Sequence, residues 1–232
     1  MVIGIKFGIK HSYRDFGMYL TKKEISLPKA KTEKVSVTGR DGDIDLTEAL
    51  GDNVRFENRT LKFTFTTVDY KKWAQSLSAV ANYLHGQKMQ IIMDADPQYY
   101  YYGRCSINEF ETNKATGKIV IECDVEPYKI EVNGPYEPWQ WDPFSFVDGV
   151  IRDSEITVAT SATVNLVNKR KIVSPTFICS KAMTVTFGGT TYNLTSGENK
   201  VLDIRLQEGD NPVVFKCSGT GTVKIRYKGG SL

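Results

Sequence analysis

The residues of this chain that could do chemistry are few and scattered. Asp41, Asp43 and Asp45 form D-x-D-x-D, the spacing with which an EF-hand loop opens its set of oxygen ligands. Such a loop needs Gly at its sixth position and Glu at its twelfth. Those positions hold Leu46 and Asp52, and no helical pattern precedes them. Asp94 and Asp96 could be weighed as an acid/base pair for glycoside hydrolysis, which needs two carboxyls about 5–10 Å apart. Two residues apart and followed by Pro97, they read instead as the start of a turn. His11 precedes Ser12, but no signature ties either to a third partner, and there is no G-x-S-x-G elbow. His85 falls where a helical pattern ends, a place to serve the helix dipole and the last carbonyls. The reading is therefore of a chain with no catalytic residues, no metal site and no cofactor, and of a protein that is not an enzyme.

Cys105, Cys123, Cys179 and Cys217 contain no C-x-x-C pair, and only two histidines could join them at a metal. Four reduced, mostly buried thiols in a cytoplasmic setting are expected, with a Cys105–Cys123 bridge left open because both lie on strands that pair. The 232 residues carry 30 Lys+Arg against 27 Asp+Glu, and the net charge of +3 is too small for a nucleic-acid binder. With 41% hydrophobic and 25% charged residues the chain is globular, large enough for one or two domains. No apolar run approaches the roughly 18 residues that span a bilayer. The opening segment lacks the continuous apolar core and cleavage site of a signal peptide, so a soluble protein made in the cytoplasm is expected. Without secretion, the sequons Asn58-Arg59-Thr60 and Asn193-Leu194-Thr195 carry no meaning.

Aromatic residues offer the remaining candidates. Tyr99, Tyr100, Tyr101 and Tyr102 are consecutive, so alternate rings face opposite sides of a strand. One pair can enter a core while the other, with Arg104 nearby, meets a neighbour at an oligomer interface. Trp139 and Trp141 flank Gln140 and could stack on sugar rings; sealing the contact between two domains is the competing role.

These residues need elements to hold them. Ile3, Ile5, Phe7 and Ile9 alternate with small or polar residues, as do Leu61, Phe63 and Phe65, and both runs predict half-buried strands. The cluster Gly39 to Asp43 predicts a turn after Val35 and Val37. Trp73, Leu77, Val80 and Leu84 recur at steps of four, three and four, the one convincing helical stripe, with Asp69 as N-cap and Gly86 as the left-handed stop. A hairpin follows, with Cys105 and Ile107 matching Ile119, Ile121, Cys123 and Val125 across a turn at Asn113 to Gly117. Residues 127–149 hold four of the eight prolines and read as a boundary or rigid connector. Beyond them, seven or eight short strands with no helix predict a jelly-roll type β-sandwich, with KVLDIRL as one strand and Gly219-Thr220-Gly221 as a turn between two others.

Several of these segments together resemble the distal tail protein family of long-tailed bacteriophages and prophages of Gram-positive bacteria. The resemblance rests on His11-Ser12 with Asp15-Phe16-Gly17, on Val35-Ser36-Val37-Thr38-Gly39-Arg40-Asp41-Gly42 followed by Asp45-Leu46, and on Asp94-Ala95-Asp96-Pro97. The tyrosine run, Gly103-Arg104 and Pro127-Tyr128-Lys129 complete it, in the family's order, over about residues 1–130.

The resemblance implies a mainly β protein in three parts. Residues 1–132 would be a ring-forming β-sandwich with one α-helix, 133–149 a Pro/Trp-rich connector, and 150–232 a galectin-like β-sandwich. It implies a virion protein, assembled in the host cytoplasm, whose hexameric ring joins the tail tube to the tail tip or baseplate. Its partners would then be copies of itself, the tail-tube protein and a tail-associated protein. No long insertion like the arm with which some members hold receptor-binding proteins is present. A lumen that passes DNA should be neutral or acidic, because basic groups bind phosphate by releasing counterions. Asp41, Asp43, Asp45, Asp94 and Asp96 are the candidates to line it. The alternative reading is a carbohydrate-binding module for cell-wall glycan, using Trp139, Trp141 or the C-terminal sandwich.

Overall fold

A computed structural model describes residues 3–49, 53–67, 73–112, 116–132 and 155–232. The chain divides into two compact units: the first holds residues 1–96, 101–127 and Leu232, and the second holds 97–100 and 128–231.

In the first unit the period-two segments become β1 (Ile5–Phe7), β2 (Lys10–His11), β3 (Tyr19–Ile25), β6 (Arg59–Thr67), β7 (Lys88–Met93), β8 (Asp96–Thr112, of which Pro97–Tyr100 fall in the second unit) and β9 (Gly117–Val125). They form a sheet in the order β2-β1-β7-β8-β9-β6-β3. A separate two-stranded ladder joins β4 (Lys34–Ser36) to β5 (Asp43–Asp45) around the expected turn. Along β6 every second side chain, from Arg59 through Leu61, Phe63 and Phe65 to Thr67, is buried, as strand alternation requires. Phe7 meets Phe63 edge to face at 6.1 Å between ring centroids. The opening strand is shorter than its pattern predicts. Ile5 and Phe7 are fully buried, but a turn follows Phe7, and Ile3 and Ile9 are left exposed.

The single helix among the described residues, α1 (Trp73–Leu84), lays Trp73, Val80 and Leu84 into this core with Leu77 beside them. Burying each such side chain contributes about 1.5–3 kcal/mol. Gly86 ends it at φ 77°, a conformation that costs other residues. Asp69, the expected N-cap, lies outside the described residues. The predicted β8–β9 hairpin forms, with Cys105 opposite Cys123 and Ile107 opposite Ile121.

The second unit contains β10 (Lys129–Glu131), β11 (Ile156–Asn168), β12 (Thr176–Cys179), β13 (Met183–Phe187), β14 (Thr190–Leu194), β15 (Gly197–Lys200), β16 (Gly209–Arg226) and β17 (Gly230–Ser231). β11 and β16 form one long antiparallel pair, with the register shifting between Ala159 and Ser161 where Thr160 takes φ 76°. On one side of that bulge β16 pairs with β13, on the other with β12, so one strand serves both parts of the sheet. Phe177 and Phe215 meet edge to face in the core between them.

Two expectations change here. Gly219-Thr220-Gly221 is part of β16, because the bulge lets the chain bend without breaking its ladder. KVLDIRL is not one strand: Lys200 ends β15, residues 202–203 turn, Leu202 is exposed, Ile204 and Leu206 reach the core, and Val201 packs half-buried against it.

Candidate functional site

Two motifs of the first unit, His11-Ser12 with Asp15 and the segment that begins at Asp94, meet around His11. Its Nδ1 accepts the backbone N–H groups of Tyr13 (3.1 Å) and Arg14 (3.3 Å), which places the ring proton on Nε2. Nε2 then donates to Asp94 Oδ2 at 2.9 Å, and the same oxygen accepts the N–H of Gly4 at 2.9 Å. Asp15 Oδ2 accepts the N–H of His11 at 2.6 Å, and Ser12 Oγ that of Ile5 at 3.1 Å. A Cβ on Gly4 would stand 2.4 Å from His11 Cε1, so only glycine lets the strand pass this ring. His11, Ser12, Asp15 and Asp94 thus tie the turn after β2 to the turn before β8. The arrangement is a polar lock with its hydrogen-bonding groups turned on one another. Asp96 opens β8 itself.

The tyrosine run lies on β8 and alternates as its spacing predicts: Tyr99 and Tyr101 are buried, Tyr100 and Tyr102 half-buried. What the sequence does not signal is that each ring meets a cation. In the first unit the Arg59 guanidinium stacks 4.6 Å from the Tyr101 centroid, and Lys88 Nζ lies 4.8 Å from that of Tyr102. Arg104 is exposed and donates to the carbonyl of Gly86. In the second unit Lys129 Nζ and Lys169 Nζ lie 4.4 and 4.8 Å from the Tyr99 centroid, and Lys169 also donates to the Tyr99 hydroxyl. Lys228 Nζ is 6.0 Å from Tyr100 and donates to the Val132 carbonyl at 2.7 Å. Glu131, nearly buried, faces Lys169 at 4.0 Å and accepts the N–H of Gly229.

Arg59 is the member that alternation could have found, because it occupies a core-facing position of β6. Burial pushes its pKa down, opposed by the neighbouring Tyr101, and its Nε and Nη2 have no hydrogen-bond partner among the described residues.

The third candidate region is the β4–β5 ladder. Asp43 and Asp45 lie on β5 and Asp41 in the turn before it. Asp45 Oδ1 accepts the N–H of Thr47 at 2.9 Å and also its hydroxyl. These bonds, the hydroxyl's first, hold the Asp45 carboxyl below the usual range, with Lys34 across the ladder adding to the effect. Val35, Val37 and Leu46 are exposed here, as are Ile25 and Leu27 at the end of β3. Among the described residues no three His, Cys, Asp or Glu side chains converge as metal ligands would. His85 differs from expectation: its Nδ1 accepts the N–H of Ile107 at 3.0 Å, which ties the helix end to β8 instead of capping carbonyls. Trp139 and Trp141 lie outside the described residues.

A sheet carrying one helix, joined to an all-β unit built on a bent strand pair, defines a mainly β protein of two units. No family model and no curated protein matches the chain. Its fold is nevertheless found in a solved structure, that of the SPP1 Dit protein (gp 19.1), described as a paradigm of the hub adsorption apparatus in phages that infect Gram-positive bacteria. The likeness has a TM-score of 0.64 at 12% sequence identity and covers 98% of this chain and 99% of that one.

Proposed function

We propose that this chain is a structural protein of a phage tail, not an enzyme, and that six copies close into a ring joining the tail tube to the tail tip or baseplate. The observation that carries this reading is the shared fold with a hub protein along nearly the full length of both chains. The exposed apolar residues Ile25, Leu27, Val35, Val37 and Leu46 support it, since a closed ring of head-to-tail contacts covers such a surface on every copy. Residues 1–132 form the ring part in this reading and 150–232 a separate sandwich. Tyr100, Tyr102 and Arg104 are the members of the tyrosine group with surface open to a neighbour. Asp41 and Asp43 lie on an exposed turn and strand, and in this reading they line the bore.

The test uses the full chain with tail-tube protein, followed by light scattering and electron microscopy. Six-fold ring particles are expected, each contact burying about 800 Å² per subunit. A strict monomer at every concentration, with no binding to the tube protein, overturns the ring. Changing Asp41 and Asp43 to Lys in the phage should leave tails intact and slow DNA ejection; unchanged ejection kinetics remove those residues from the bore.

A further inference from the structure

Cys105 and Cys123 face each other across the β8–β9 hairpin, both with no exposed surface, and their sulfurs are 3.1 Å apart. The backbone N–H of Cys105 donates to Gln87 O at 2.9 Å, and its carbonyl accepts the N–H of Gly86 at 2.8 Å. Both of its main-chain groups therefore point away from β9. The two cysteines form a non-hydrogen-bonded pair, the type in which opposed Cα atoms come as near as about 4.5 Å. That spacing lies inside the range a disulfide bridges, and the sulfurs need only close by about 1 Å to bond. The other two thiols have no such partner. Cys217 donates to the carbonyls of Val158 and Gly219, and Cys179 stands opposite Gly197 and Val223.

We propose that Cys105 and Cys123 are a two-electron redox site, oxidised by a peroxide to a disulfide that staples β8 to β9. One sulfur, its proton released, attacks a peroxide oxygen; the O–O bond breaks, water leaves, and a sulfenic acid forms. The second sulfur attacks the sulfenic sulfur and displaces a second water. Two thiols and one hydrogen peroxide give one disulfide and two waters, the peroxide taking the two electrons. The 3.1 Å approach matters at the second step, because the resolving thiol is already in place and higher oxidation is pre-empted. The hydrogen bond to Cys105, and then burial, push the Cys123 thiol above its usual range, so thiolate is scarce and oxidation slower than that of an exposed thiol.

The test starts from the full chain, reduced and folded. It is treated with hydrogen peroxide, unfolded without reductant, alkylated and mapped by peptide mass. A Cys105–Cys123 linked peptide, two hydrogens lighter than the reduced pair, is expected, with Cys179 and Cys217 alkylated and dithiothreitol reversing the link. The oxidised protein should melt higher, by a shift on the order of 5 °C, because the link closes the hairpin in the unfolded chain. Alkylation of both Cys105 and Cys123 after an exposure that fully oxidises glutathione overturns the proposal. So does a link that involves Cys179 or Cys217, or a fall in melting temperature on oxidation. Cys105→Ser provides the control: it should still fold, form no link and leave Cys123 open to sulfenic-acid trapping.

Discussion

Asp94 and Asp45 both sit beside turns of the first unit, and the two turns are built in opposite ways. Asp94 spends its carboxylate on His11 and on the N–H of Gly4, and the His11 ring itself is buried. Among the described residues the Asp45 side chain bonds to Thr47, two residues on, beside a ladder where Val35 and the following Val37 are exposed. The first arrangement consumes its polar groups internally and fixes the fold. The second leaves apolar and acidic surface that the isolated chain does not use. Carboxylates at similar spacing thus do different work, and what distinguishes them is whether a long-range partner arrives.

The contrast gives a graded set of expected effects. The reference point is Phe63→Ala, which empties a fully buried position of the same unit and should cost about 3–5 kcal/mol in chemical denaturation. A loss under about 1 kcal/mol would mean that this core is not what holds the lock in place. Asp94→Ala removes the acceptor of two partly buried hydrogen bonds and should cost about 1–3 kcal/mol. If Asp94→Ala unfolds at the wild-type denaturant midpoint, the two turns are equivalent and the contrast collapses.

The double change Val35→Ser and Val37→Ser should alter monomer stability by less than about 0.5 kcal/mol, yet weaken self-association seen by light scattering. Destabilisation as large as that of Asp94→Ala would make the ladder part of the core. Last, Thr47→Val should bring the Asp45 titration, followed by NMR, back up toward the ordinary carboxylate value near 4. The sign follows from linkage: a folded-state pKa below the unfolded one contributes stability above the unfolded pKa. That contribution fades as the pH falls through the folded value. An Asp45 titration unmoved by Thr47→Val would assign the shift to the backbone N–H of residue 47, with Lys34 adding to it, instead of to the hydroxyl.

Much of this arrangement was legible from local pattern. The stripe Trp73, Leu77, Val80 and Leu84 is a helix, and alternation puts Cys105 and Cys123 on one face of a hairpin. What escaped depends on distance along the chain. His11 and Asp94 are 83 residues apart, and no periodicity links them. The lysines around Tyr99 come from residues 129 and 169, on other segments. The bend in β16 was hidden for a different reason: Gly219 and Gly221 signal a change of direction but do not say whether the ladder survives it. Leu202 shows the opposite failure, an alternation in KVLDIRL that a turn overrides.

The pairing of β1 with β7 also bears on how the chain is made. Phe7 pairs with Ile91, so β1 waits for a partner made 84 residues after it. At roughly 5–20 residues per second that wait is about 4–17 s. Through that interval Ile5 and Phe7, fully buried in the end, are open to water and to other nascent chains. The β8–β9 hairpin, whose strands are near in sequence, closes over a short loop once β9 is made, whereas β1 must find β7 across a long one. The His11–Asp94 bond forms only after synthesis has passed residue 94, so the lock cannot close before the partner strand of β1 has been made.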